Sequence, residues 1–224
     1  MFIWKRGKVE GRFNKFISYL DLTFSDHGIL RLLWRSWGEL PGKMYRSNQP
    51  YPFQLKKDIK KYNIKSILNL RGKRNCSSFY LEEDFCINNN LILHNFPLSS
   101  RDLPSKENIL NFFDLLNNIE YPCLMHCKSG ADRAGLASVL YMIYVENNNV
   151  SDALKQLSFK HLHIKYAKTG ILDLFFNHAI EIKKNKPLMF IDWVKKDYKK
   201  NDLKKKFKYN SLFNFLIDKI LRRE

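Results

Sequence analysis

The stretch His126-Cys127-Lys128-Ser129-Gly130-Ala131-Asp132-Arg133-Ala134-Gly135 places a thiol and a guanidinium six residues apart, with a glycine between them. A cysteine attacks as its thiolate, and an arginine is permanently charged and can grip two oxygens of one anion. If the intervening chain curls, the N–H groups of Lys128, Ser129, Gly130, Ala131 and Asp132 can point inward and cradle an oxyanion. A helix starting at the far end adds the partial positive charge of its N-terminus. Such a loop favours thiolate over thiol and sets sulfur and guanidinium around one phosphate-sized group. The chemistry would be attack by Cys127 on phosphorus, with charge stabilised by Arg133 and the amides. Gly130 permits the curl and Gly135 lets the helix pack closely. Either the cysteine or the arginine alone would more often be a core thiol or a surface ion pair; their order within ten residues carries the reading.

The flanking elements must deliver that loop. Cys123–His126 is a short apolar run that reads as a buried strand, and a helix is expected from about Ala131 to Glu146. Upstream, strands are expected at Met44–Ser47, Ile64–Leu70 and Leu91–Leu98. Helices are expected at Phe53–Tyr62, Phe79–Ile87 and from Pro104-Ser105 to Asn118. The last carries Ile109, Phe112, Phe113 and Leu116 as its apolar stripe. Val150–Phe159 and Lys168–Ile182 also read as helical. This alternation predicts an α/β fold, with a central mostly parallel sheet flanked by helices. Helical extensions are expected at both ends: residues 1–42 before a catalytic domain at 43–182, and residues 183–224 after it.

The ten-residue stretch resembles the H-C-x-x-G-x-x-R signature of the protein tyrosine and dual-specificity phosphatase superfamily. Tyr45-Arg46-Ser47-Asn48-Gln49-Pro50 and Leu68-Asn69-Leu70-Arg71 are similar to segments of compact bacterial dual-specificity-like phosphatases. The resemblance covers roughly residues 43–180. It implies a dual-specificity phosphatase-like fold, a phosphocysteine intermediate on Cys127 and no metal or cofactor. It gives His126 the task of organising the loop by hydrogen bonding. It also implies a proton donor for the leaving oxygen on a neighbouring loop. Asp102 is the candidate, 25 residues before Cys127 and a little closer than is usual in the family; its bland reading is a solvated turn aspartate. Asp132, inside the loop, is the rival.

Ala134 departs from the pattern, because the family has Ser or Thr there to help the thiolate leave; Ser129 could stand in. Lys128 could favour substrates with extra phosphates, or simply be solvated. Arg71 could reach the pocket rim, or form a structural ion pair. His161, His163 and Lys168 could belong to a segment covering the site. A protective disulfide of Cys127, known in the superfamily, could use Cys76, while Cys86 and Cys123 read as core residues. Substrates are expected to be phosphotyrosyl protein or a phosphorylated lipid or inositol. The alternative is a catalytically weak module that holds phosphorylated ligands at a membrane surface.

The net charge of +17 is unevenly spread: +5 over residues 1–47, +3 over 48–182 and +9 over 183–224. Basic ends attract polyanions, here an anionic membrane surface; nucleic acid is not expected, for want of any recognisable module. Phe13, Phe16, Ile17 and Leu20 repeat helically, as do Leu212, Phe213, Leu216, Ile217 and Ile220. Such helices either lie in a membrane interface or dock on the catalytic domain, and docking is the first expectation. The opening MFIWKRGKVEGRF reads as no secretory signal, and no run reaches the length of a membrane span. The expected location is the cytoplasm, or peripheral at the inner face of a membrane, with reduced thiols. No metal-ligand spacing is present in the sequence.

Overall fold

A computed structural model describes Arg6, Gly7 and residues 9–209, so the second amphipathic stripe, at Leu212–Ile220, lies outside the described residues. The chain forms two compact units. The first comprises residues up to Glu39 together with Lys43–Pro97 and Glu120–Ser129. The second comprises Leu40–Gly42, Leu98–Ile119 and the residues from Gly130 onward.

The first unit holds the sheet but for Leu40, with strands β1 (Gly38–Leu40), β2 (Met44–Asn48), β3 (Ser66–Asn69), β4 (Ile92–Asn95) and β5 (Cys123–Cys127) in the order β1-β2-β5-β3-β4. β5 runs parallel to both β2 and β3, and β3 runs parallel to β4. The sheet is therefore mostly parallel, as the alternation predicted. Every residue of β5 is buried, which is why Cys123-Leu124-Met125 reads as an unbroken apolar run. Helix α3 (Pro52–Tyr62) opens with proline, and the Gln54 side chain accepts the Tyr51 N–H at 2.9 Å. It stops at Asn63, whose φ of 54° lies in the left-handed region. Helix α4 (Ser77–Asn88) follows β3. β3 and β4 are shorter than the apolar runs around them: Ile64 and Leu70 are buried but lie beyond the strand. An apolar run reports burial, and only part of it enters the ladder.

Residues 12–34 belong to this unit and form α1 (Arg12–Leu20), a wide turn at Asp21–Ser25 and α2 (Ile29–Leu33). Here the structure corrects the docking expectation. α1 packs toward α4, but through its polar side, where Ser18 is buried and the Lys15 ammonium meets Asp84 at 2.8 Å. The apolar stripe faces outward, with Phe13 58% and Phe16 59% exposed.

The second unit is helical. α5 (Lys106–Asn118) is capped by Ser105, whose Oγ accepts the Asn108 N–H at 3.1 Å. α6 (Asp132–Tyr144) is buried on nearly every side, a helix at the centre of its unit. The Phe113 and Tyr144 rings stack across α5 and α6, 4.3 Å apart. The helix expected over Val150–Phe159 is broken into α7 (Val150–Ala153) and a tighter turn at Leu154–Gln156. A Cβ at Gly135 would meet the Leu157 Cδ2 at 2.6 Å, so a larger residue there would force the Leu157 side chain to shift. α8 (Ile171–Glu181), α9 (Pro187–Lys196) and α10 (Lys200–Lys204) complete the unit. Phe175, Phe176, Phe190, Trp193 and Tyr198 form one aromatic cluster, with Phe175 and Tyr198 centred 5.1 Å apart.

Candidate active site

β5 carries Cys127 to its C-terminal end, opposite Asn48 of β2. The loop leaves the first unit after Ser129 and enters the second at Gly130. Gly130 has φ 74°, a conformation costly for any residue with a Cβ, and α6 begins at Asp132. Strand, left-handed glycine and helix start thus follow in the order that the sequence implied. Cys127 is 1% exposed and Arg133 3%.

Within the first unit, His126 and Glu82 are both fully enclosed. The His126 Nε2 lies 2.8 Å from the Glu82 Oε1, close enough for an ion pair but off the line of a hydrogen bond. Gln49 Nε2 donates to the Ser78 carbonyl at 3.2 Å and approaches Glu82 Oε2 at 3.5 Å. Sequence reasoning passed over Glu82, yet a signal existed: Phe79, Glu82 and Cys86 share one face of α4, and all three are buried. A carboxylate on an apolar stripe marks a buried polar partner.

Arg71 forks onto Asp26. Its Nη1 donates to Oδ2 and its Nη2 to Oδ1, each at 2.9 Å. Asp26 also accepts from Arg31 Nη1 at 2.9 Å and from Ser78 Oγ at 2.6 Å, and Lys128 Nζ stands 4.0 Å away. Partial burial pushes this carboxyl up, but the Arg71 and Arg31 guanidiniums overcome it and hold Asp26 far below the ordinary carboxylate range. Lys128 is mostly enclosed, with a side chain 12% exposed. Nothing in the sequence singled out Asp26, since a lone aspartate in an amphipathic segment carries no spacing signal.

Within the second unit, Asp132 is buried and its Oδ1 lies 2.7 Å from His163 Nδ1. The other ring nitrogen lies 2.6 Å from Asp173 Oδ2. Burial alone would lower the imidazole, but the two carboxylates raise it to about 9, so His163 is a charged bridge at neutral pH. Ala134 is fully buried, and its carbonyl accepts from Ser138 Oγ at 2.7 Å.

Asp102 is half-buried beside two ammoniums, with Lys200 Nζ at 2.7 Å and Lys204 Nζ at 2.8 Å. Burial pushes the carboxyl up, and the two lysines outweigh it and hold Asp102 below its usual range. Tyr198 donates to the Pro104 carbonyl at 2.9 Å, fixing the same loop to the segment that supplies the lysines.

All four cysteines are free thiols. Burial drives Cys123 up to about 12 and Cys86 higher still, which keeps both as inert core thiols. Cys76 is partly exposed, with Sγ 3.4 Å from Ser78 Oγ. Among the described residues, no cluster of His, Cys, Asp or Glu is gathered as metal ligands would be. Nor is any helix among them long and apolar enough to cross a membrane.

No protein-family model and no curated protein matches the chain. Solved structures do. The core catalytic domain of the PP-IP phosphatase SIW14 from S. cerevisiae is 19% identical, with 66% of this chain and 89% of that one covered at a TM-score of 0.49. PTPMT1 is 15% identical, with 66% and 99% covered and a TM-score of 0.49. P. aeruginosa TpbA is 17% identical, with 64% and 91% covered and a TM-score of 0.47. At this distance the functional reading has to rest on the chain's own residues.

Proposed function

We propose that this chain hydrolyses phosphate monoesters through a phosphocysteine intermediate on Cys127. One observation supports the reading above the others: the local path from a buried strand ending at Cys127, through a left-handed Gly130, into a helix that opens with Asp132-Arg133.

In the first step the Cys127 thiolate attacks phosphorus in line. The S–P bond forms as the P–O bond to the leaving group breaks, and the leaving oxygen takes a proton. The amides of residues 128–132 and the Arg133 guanidinium hold the equatorial oxygens, where charge is spread in the transition state. In the second step water attacks phosphorus and the S–P bond breaks. Inorganic phosphate leaves and the thiolate is restored. His126, with Glu82 behind it, positions the loop.

Asp102 is the proposed proton donor, and Asp132 its rival. The lysine contacts favour the ionised form of Asp102, so it can act as an acid only when Lys200 and Lys204 loosen. Asp132 faces a charged imidazole, which suits a structural carboxylate holding the first turn of α6. Lys128, Arg71 and Arg31 all lie within 4.0 Å of Asp26, and Lys128 follows Cys127 directly. Cations gathered beside the phosphate loop would suit substrates with more negative charge than one phosphotyrosine, such as phosphorylated inositols or lipids. Ala134 supplies no hydroxyl to assist the second step, which supports slow release of phosphate and a burst in the first turnover.

The test is turnover of a small aryl phosphate with chelator present. Activity in the wild type and none in Cys127→Ser supports the reading; full activity in Cys127→Ser ends it.

A further inference from the structure

We propose that residues 12–34 form a docking surface for an anionic lipid bilayer. Phe13, Phe16, Leu20 and Phe24 recur every three or four residues and point away from the first unit, Phe24 being 65% exposed. Leu33 and Trp34 at the end of α2 extend the same apolar display. Soluble proteins seldom expose so many large apolar side chains in one short segment without a partner for them.

The charges decide the occupant. The two aspartates of the segment are turned inward and neutralised, Asp21 by Arg6 at 2.6 Å and Asp26 by Arg31 and Arg71. Arg12 is exposed at the start of α1. Residues 1–47 carry nine basic and four acidic groups, and the chain as a whole is at +17. An outward apolar and aromatic face, on a segment whose net charge is positive and whose aspartates are hidden, matches the headgroup and acyl boundary of an anionic membrane.

Docking would also reach the chemistry. Asp26 lies in this segment and holds Arg71, with Lys128 Nζ 4.0 Å away, and Lys128 directly follows Cys127. A bilayer against residues 12–34 would therefore lie near the phosphate loop and offer it phosphate monoesters held in the interface. Only this last consequence rests on the phosphatase reading.

The test is co-sedimentation of the full chain with vesicles of phosphatidylcholine alone and of phosphatidylcholine with phosphatidylserine. The wild type should pellet with the mixed vesicles. A Phe16→Glu/Phe24→Glu/Leu33→Glu variant should lose about tenfold or more in affinity, since each change removes apolar burial and adds a repelled charge. Leu33→Glu alone serves if the triple variant fails to fold, with a smaller loss in the same direction. Cys127→Ser should bind as the wild type does, so a failure of the catalytic reading leaves docking intact. Equal binding by the wild type and the glutamate variants overturns the proposal, because the basic C-terminal segment would then suffice. A wild type that stays in solution overturns it too. Sedimentation velocity then says what covers the face: a dimer dispersed by Leu33→Glu means a second copy, and a monomer means the chain's own remaining residues.

Discussion

Residues 12–34 and residues 187–204 both carry more bases than acids, and both alternate aromatic with charged side chains. In their own units they behave in opposite ways. Over 187–204, Phe190, Trp193, Val194, Tyr198 and Leu203 are buried, and Phe175 and Phe176 of α8 share in their aromatic cluster. Over 12–34 most large apolar side chains face outward, and what turns inward is Ser18, Leu22, Arg31 and the carboxylates of Asp21 and Asp26, with Tyr19 stacked on Tyr51. Leu22 packs with Tyr51 and Leu81, whereas Phe13, Phe16 and Phe24 each stay more than half exposed. Periodicity establishes that a face exists. Whether the face is covered depends on what the rest of the fold sets opposite it.

The two segments also send opposite charges toward residues of the candidate site. The N-terminal one sends Asp26 to Arg71, near Lys128; the C-terminal one sends Lys200 and Lys204 to Asp102. Each can be broken separately.

The largest effect is expected at Trp193. Trp193→Ala removes a buried ring from the aromatic cluster and should cost about 3–5 kcal/mol by urea unfolding. Phe16→Ser should move stability by no more than about 0.5 kcal/mol. Equal losses would erase the contrast between the segments. Next comes Asp26→Asn, which leaves Arg31 and Arg71 facing each other without their shared carboxylate. A loss of about 3 kcal/mol is expected in the same assay, and no loss would mean that Asp26 does not pin the N-terminal segment.

His163 sharpens the picture of the second unit. Its folded value of about 9 lies above the ordinary value of 6.5, so the bridge contributes fully below about pH 6.5. That contribution, up to about 3 kcal/mol, should fade as pH rises from 6.5 through 9. Denaturation midpoints of the wild type should fall across that window, and those of His163→Gln should not. The smallest stability change, under about 1 kcal/mol, is expected for Lys200→Met/Lys204→Met, because the pair is partly exposed. Its pH profile should nonetheless change. Without the lysines the Asp102 carboxyl rises, so a descending limb that reports a protonated Asp102 should move to higher pH. An unmoved limb would point to Asp132 or another acid.

Much of the candidate site's local path could be read from the sequence because its logic is local. Cys127, Gly130, Asp132 and the start of α6 lie within one short stretch, and spacing along the chain carries their arrangement. The parallel sheet was equally legible from short apolar runs separated by helical ones. Glu82, Asp26 and Asp173 were not singled out, and His163 was read only as part of a covering segment, because each meets its partner across a stretch of chain or between helices, and charge type alone does not name a partner. The outward face of residues 12–34 failed for a related reason: the stripe is visible in the sequence, and its missing cover is not.

Acid-quenching the protein during incubation with an aryl phosphate, followed by peptide mass analysis, addresses the central claim directly. A phosphoryl group on the peptide containing Cys127, present in the wild type and absent in Cys127→Ser, is the predicted result. Steady turnover with no adduct at Cys127, persisting in Cys127→Ser, would contradict it.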